Sequence, residues 1–248
     1  MPITHLVLNC DCGEGMADEA TILPFVTAAN IACGGHTGDA DTMRATIRLA
    51  QQFHLSIGAH PSYPDPANFG RRVLPLSDAE LRQTLLTQLS ALQQVADEMQ
   101  ASIAHVKLHG ALYNHAAAHA GVARKVVAVV AEWNPAIIFV GLAGSALIEA
   151  GQQAGLRVAA EGFADRAYDH ADALRPRNLP GALLEDDEAA LAQAVRLVQQ
   201  HEVMTHDGQV MPIHIDTLCI HIDTPGAAAR AKMLHAGLQR AGIELGRW

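Results

Sequence analysis

The sequence lacks the marks of a nucleic-acid or membrane protein. Of 248 residues only 17 are Lys or Arg against 26 Asp or Glu, a net charge of −9. That balance repels phosphate backbones and anionic head groups at long range, so neither nucleic acid nor membrane is an expected partner. The longest uncharged apolar stretch, Pro135 to Ile148, falls well short of the ~20 residues a membrane span needs. No basic segment leads into an apolar one at the N-terminus, and a cytoplasmic location is expected. Cysteine is sparse: Cys10, Cys12, Cys33 and Cys219 lie in or beside strand-like segments, not at the loop spacings of a disulfide framework. Reduced thiols follow. The Cys10-x-Cys12 pair has no second Cys or His pair at zinc-finger spacing, which leaves two small core side chains as the reading. There is no G-x-x-x-x-G-K-[ST], no G-x-G-x-x-G and no G-x-S-x-G. A P-loop ATPase, a dinucleotide enzyme and a serine hydrolase are therefore disfavoured.

Half of the residues are hydrophobic, enough for one large core, and a single domain over residues 1–248 is expected. Seven compact apolar runs read as strands buried on both faces: His5 to Asp11, Ala28 to Gly34, Leu55 to His60, Ile103 to His109, Ile137 to Leu142, Leu156 to Glu161 and Leu218 to Asp223. Helical segments separate most of them. Asp41 to Gln52 puts Met43, Ile47 and Ala50 on one face, and Ser77 to Glu80 is a capping box before Leu81, Leu85, Leu89, Leu92 and Met99. Further helices are read near Asp186 to Gln200 and after Thr224-Pro225. This alternation predicts an α/β fold, a distorted (β/α) barrel of about seven parallel strands. Two irregular loops, Pro61 to Pro75 and Ala167 to Gly181, are expected to cover the site.

Ionisable residues gather where the apolar runs stop. Asn9, Asp11 and Glu14 follow the first strand, His36 and Asp39 the second, His60 the third, and Lys107 and His109 the fourth. Glu161, Asp165 and Arg166 follow the sixth, and His221 and Asp223 the seventh. C-terminal strand ends of a parallel barrel converge on one mouth, so these residues become neighbours there. Folding alone does not require so many costly charges at one end. Asp11 and Glu14 are candidates for water activation. Lys107, inside a hydrophobic strand, needs either a developing negative charge or a structural partner such as Glu161. Arg71 and Arg72 can clamp a carboxylate or phosphate, and the backbone N–H groups of Gly141 to Ser145, Gly144 included, can receive an anion.

Several segments resemble the LamB/YcsF family: Leu8-Asn-Cys-Asp-Cys-Gly-Glu14, Ala29 to Gly34 with His36 and Gly38-Asp39, Ile57 to Pro61, Phe69 to Arg72, Val106 to Asn114, Glu161 to Arg166 with Tyr168, and His221 to Pro225. The match runs from Leu8 to about Gly242; departures at Cys12, Gly15, Leu108 and Ile222 remove no ionisable group. The resemblance implies a barrel similar to the glycoside hydrolase and deacetylase barrel. It also implies ATP-dependent opening of 5-oxoproline to glutamate, by the A subunit of a 5-oxoprolinase with partner subunits B and C. ATP with Mg2+ is then the expected cofactor. The expected catalytic set is Asp11, Glu14, His36, His60, Lys107, His109, Glu161, Asp165, His221 and Asp223. Substrate or ATP binding falls to Asn9, Asn30, Arg71, Arg72, Tyr113, Asn114, Gly144, Ser145 and Arg166. An alternative is a metal-dependent amide hydrolase using Asp11, His60 and His109 without ATP, although a tightly bound protein metal is not the favoured expectation. A third reading is a non-catalytic lactam-binding subunit.

Overall fold

Apolar runs covered on both faces become strands here, and each meets its neighbour in the sheet in parallel. The computed structural model describes residues 5–16, 19–220 and 226–248. Strands β1 (Leu6–Cys12), β2 (Ala28–Ala32), β3 (Ser56–His60), β4 (Ile103–Lys107), β5 (Ile138–Leu142) and β6 (Arg157–Phe163) lie side by side in chain order. Beyond β6 come two small antiparallel ribbons, β7 (Tyr168–His170) with β8 (Ala173–Leu174), and β9 (Glu202–Met204) with β10 (Val210–Pro212). The chain re-enters as β11 (Thr217–Cys219), which pairs with β6 on one side and β1 on the other. That pairing closes a seven-stranded parallel barrel, as the alternation of strand and helix predicted.

Eight helices among the described residues surround it: α1 (Glu19–Ile22), α2 (Ala40–Gln52), α3 (Asp78–Glu98), α4 (Gly110–Ala118), α5 (Ala120–Trp133), α6 (Ala146–Gln153), α7 (Asp187–Val195) and α8 (Ala227–Arg240). Their starts follow local chemistry. Asp39 caps α2 by accepting from Asp41 and Thr42 N–H groups, and Ser77 with Glu80 forms the expected capping box of α3. Helix α3 buries Leu81, Leu85, Leu89 and Leu92, each contributing roughly 1.5–3 kcal/mol when fully removed from water. Helix α7 runs on through a π-helical turn, Arg196–Gln200. The expected cap at Thr224-Pro225 lies outside the described residues.

Strand alternation splits the side chains in two. Leu8, Cys10 and Cys12 of β1 and Phe139 of β5 face the helices. All four cysteines are free and buried, with Cys219 turned to the interior, its Sγ 3.1 Å from Lys107 Nζ. The inward floor is apolar: Ile138, Val140 and Ala159 pack with Trp248. A strand absent from the sequence reading, β12 (Leu245–Gly246), pairs with β1 beside this floor. Trp248 N–H then donates to Ser56 Oγ at 3.1 Å, and Arg247 to the His54 carbonyl at 2.8 Å. The segment is too short and too polar to register as a buried strand. Among the described residues no helix is long and apolar enough to cross a membrane.

Gly58 of β3 lies against His105, and a Cβ there would overlap the imidazole. Gly58→Ala is expected to lower stability by about 1–3 kcal/mol through overpacking, read as a fall in the urea midpoint with an unchanged slope.

Candidate active site

Above the apolar floor the barrel interior turns polar. Lys107 Nζ lies 3.0 Å from Asp11 Oδ1 and 2.9 Å from Glu161 Oε1, and it also donates to Asn9 Oδ1 at 3.2 Å. Glu161 is fully buried and takes further hydrogen bonds from Asn9 Nδ2 at 3.0 Å and Tyr113 OH at 2.7 Å. Asn30 Nδ2 donates to Asn9 Oδ1 and Asp11 Oδ1, both at 2.8 Å, and its own carbonyl oxygen accepts from His105 Nε2 at 2.7 Å. The structural partner considered for Lys107 is therefore real, and Asp11 shares it. Burial alone would push the Lys107 ammonium down, but the two carboxylates outweigh it and hold it well above the usual lysine range. His105 goes the other way: burial, helped by the nearby Lys107 charge, lowers it to about 3.

Three imidazoles meet at the mouth. His60 Nδ1 donates to the Lys107 carbonyl at 2.8 Å, and His109 Nε2 donates to the Phe69 carbonyl at 3.0 Å. His36 Nδ1 is 3.0 Å from Ser62 Oγ, whose single proton goes to the Tyr63 carbonyl at 2.9 Å. That leaves His36 Nδ1 as the donor as well. Each ring thus commits one N–H outward and turns its other nitrogen to the same small space. There His36 Nε2 is 2.9 Å from Glu14 Oε1, His60 Nε2 is 3.2 Å from Asp11 Oδ2, and His109 Nδ1 is 3.1 Å from His60 Nε2. His36 and His109 stack at 3.6 Å. Burial pushes His36 down to about 4, whereas for His60 the same burial is outweighed by Asp11 and the imidazole is held up. Burial would raise Glu14, but contacts with His109 and His36 hold its carboxyl at about 2. The space is ringed by acceptors, and only extra protons or a metal cation relieve it. Two overlapping triads have ligand atoms within 4.8 Å of one another: Asp11, His60 and His109, and Glu14, His36 and His109. The first is the set expected from sequence.

Supporting residues fix this arrangement. Glu19 accepts from the Gly13 and Glu14 N–H groups at 2.7 and 3.2 Å and so holds the turn that carries Glu14. The buried Gln88 of α3 pairs with both backbone groups of Ser62, accepting from its N–H at 2.9 Å and donating to its carbonyl at 2.8 Å. Gly35 leaves room for that amide, since a Cβ there would overlap it. None of Glu19, Ser62, Gln88 or His105 stands out in the sequence. Only His105 leaves a trace there, two residues before Lys107 and four before His109.

A cavity of about 650 Å³ opens above the cluster, lined by Asp11, Glu14, Lys107 and His109 on one side. Tyr113, Asn114, Arg71 and Arg166 also line it, together with residues 172–174 and 176–178. Both irregular loops therefore flank the site, as expected. Other expected site residues lie outside the cavity lining. Arg72 does not line the cavity, and Asn9, Asn30 and Glu161 lie below it in the barrel. Asp165 is buried beside the mouth without lining it. Ser145 is the N-cap of α6, its hydroxyl accepting from the Leu147 N–H at 3.3 Å, and neither it nor Gly144 reaches the cavity. The capping requirement of α6 explains that serine without an anion. His221, Ile222 and Asp223 lie outside the described residues.

A closed parallel barrel with a carboxylate and imidazole cluster at its C-terminal mouth defines an α/β-barrel protein with an enzyme-like site. The chain belongs to the LamB/YcsF family, whose profile matches residues 6–248. It is 50% identical over 241 residues to the 5-oxoprolinase A subunit of Chloroflexus aggregans, covering 95% of this chain and 96% of that one. It is 46% identical to the protein of the same name in Methylococcus capsulatus, covering 97% and 96%. The crystal structure of a lactam utilization protein from Thermus thermophilus superposes with a TM-score of 0.92 at 36% identity, over 98% of this chain and all of that one. A T48 deacetylase shares the fold at a TM-score of 0.51 and 10% identity, over 99% and 88% of the two chains.

Two substitutions test the interior. His105→Gln keeps a donor for Asn30 but removes a group that stays neutral when folded and takes up a proton only on unfolding. Acid therefore favours the unfolded wild type below pH ~6.5, by about 1.4 kcal/mol per pH unit for this residue as pH falls toward 3. The variant is expected to lose that share of the slope in urea titrations at pH 6 and pH 4. Lys107→Ala strands the buried Glu161 carboxylate and is expected to cost about 3–5 kcal/mol of stability, measured by thermal unfolding.

Proposed function

We propose that this chain acts on 5-oxoproline as the A subunit of an ATP-dependent 5-oxoprolinase, assembled with partner subunits B and C. The observation that carries the reading is identity of 44 to 50% along nearly the whole chain to relatives bearing that name. The reaction consumes two waters: one forms a C–O bond as the ring C–N bond breaks, and the other completes the phosphate released after the terminal phosphoanhydride of ATP is cleaved, giving glutamate, ADP and phosphate. An unstrained amide is a poor electrophile, and phosphorylation of its oxygen makes the ring carbon attackable by water. ATP with Mg2+ enters through the assembly.

Lys107, at the cavity base, is the fixed positive charge placed to stabilise oxygen charge as the lactam is phosphorylated or attacked. Asp11 or Glu14, both ringed by imidazoles, takes the proton of the attacking water, and a histidine returns one to the departing nitrogen. The acceptor-only ring also fits a divalent cation held by Asp11, His60 and His109, with Glu14 and His36 beside it. Such an ion would polarise a carbonyl and lower the pKa of bound water. This geometry favours a second reading, metal-dependent amide hydrolysis without ATP.

A coupled assay separates the two. The purified chain, alone and with its two partners, is given 5-oxoproline and ATP while glutamate and ADP are followed together. Glutamate is expected only with partners and ATP, in step with ADP. Glutamate from the chain alone without ATP, abolished by chelation and restored by one equivalent of metal, would establish the second reading instead.

A further inference from the structure

The loop from Pro61 to Pro75 carries a backbone cost that the chemistry above leaves unexplained. Four residues other than glycine among the described ones have a left-handed backbone: His54, Phe69, Gln100 and His201. Three of them are polar, exposed and just past the last turn of a helix, where such a residue closes the turn routinely. Phe69, with φ 53° and ψ 38°, also ends a short helical turn, but it is a bulky aromatic where asparagine or glycine would sit at less cost. It is only partly buried, so packing alone gives little reason to hold it there. Such a conformation persists where its surroundings over-determine it. Phe69 N–H donates to Pro66 O at 3.2 Å and Gly70 N–H to Asp65 O at 2.9 Å, while Gly70 O accepts from Ala111 N–H at 2.9 Å in the first turn of α4. Gly70 lets the chain pass close to the mouth, since a Cβ there would stand 2.9 Å from His36 Cβ and 3.0 Å from His109 Cδ2. The Phe69 ring then meets both members of the stacked imidazole pair nearly at right angles, 5.2 Å from His36 and 5.5 Å from His109 between centroids. Its carbonyl takes the His109 Nε2–H at 3.0 Å, and the Arg71 guanidinium covers the ring 5.2 Å from its centroid.

We propose that Phe69 is a positioning residue for the mouth: its ring clamps the stacked His36 and His109 imidazoles, and its carbonyl fixes which His109 nitrogen faces the carboxylates. The left-handed backbone is what brings the side chain and the carbonyl of one residue onto the same imidazole pair. His109 lines the cavity and Phe69 does not, so Phe69 acts through the imidazoles and touches no reactant. Edge-to-face contacts suit this role, because they restrain ring orientation without competing for the ring nitrogens. The inference rests on the reading of the mouth as the reacting site and adds to it the residue that holds two of its imidazoles in place.

The test compares Phe69→Asn, which suits the left-handed backbone and lacks the ring, with Phe69→Tyr, which keeps the ring. Each is made in the full chain and followed by thermal unfolding, by nitrogen-15 spectra of the imidazoles, and by kinetics on 5-oxoproline and ATP after assembly with the partner subunits. Phe69→Asn is expected to melt within about 4 °C of the wild type, because relief of the backbone offsets the lost packing. Its His36 and His109 ring signals should shift, and kcat should fall about tenfold or more with KM within about twofold. Phe69→Tyr should match the wild type in all three measurements. Wild-type imidazole signals or a wild-type kcat in Phe69→Asn would overturn the proposal. So would a melting temperature lower by roughly 10 °C or more, the mark of a truncated core aromatic, or a protein that fails to fold. If the assembled wild type leaves 5-oxoproline unchanged, the substrate reading falls, and the imidazole spectra and the melts alone decide the role of Phe69.

Discussion

One ammonium inside the barrel holds the site together. Lys107 stands between Asp11 and Glu161, and without it two carboxylates drawn from β1 and β6 would repel each other in a space from which water is largely excluded. Each neighbour is then fixed by what remains to be satisfied. Glu161 takes its other donors from Asn9 and Tyr113, Asp11 takes an amide N–H from Asn30, and Asn30 can present that face only because His105 donates to its oxygen. Polar side chains from four strands and one helix are thus ordered by a single charge. The interior is specified by hydrogen-bond complementarity where a typical barrel of this kind is specified by packed branched aliphatics.

The mouth has the opposite character. Below, the side-chain oxygens of Asn9, Asn30 and Glu161 all have donors; above, three imidazole nitrogens and two carboxylates face one another with the rings' N–H groups turned away. Well-satisfied groups give rigidity, and the ring above them concentrates acceptors in one small space. A rigid polar base under an electron-rich ring is an arrangement suited to chemistry at a carbonyl, where proton transfers and charge stabilisation must occur within a few ångströms.

Much of this is legible in the sequence, for physical reasons. Strands buried on both faces are near-continuous apolar runs, so all seven barrel strands and the capping box at Ser77 stand out. A charged residue at the end of such a run is costly and therefore informative, which is why Asp11, Glu14, His60, Lys107 and His109 can be found together. Positions whose role depends on what lies across space are hidden. Gln88 is one more polar residue on an amphipathic helix, and β12 is too short to have a pattern. Ser145 misleads because a glycine-rich strand-to-helix turn looks the same whether its serine caps the helix or receives an anion.

Gln88 has a wider meaning. It sits on the outer ring of helices, yet its amide grips both backbone groups of Ser62, and Ser62 in turn dictates which nitrogen of His36 carries a proton. The protonation pattern of the mouth is therefore written partly from the far side of the barrel wall, through one side chain that reads direction as well as distance. A carboxylate in its place would have the same shape and no donor, turning the Ser62 carbonyl away. The helix that looks like scaffold is a component of the mouth's hydrogen-bond network, and drift along α3 is constrained by the imidazole one layer inward.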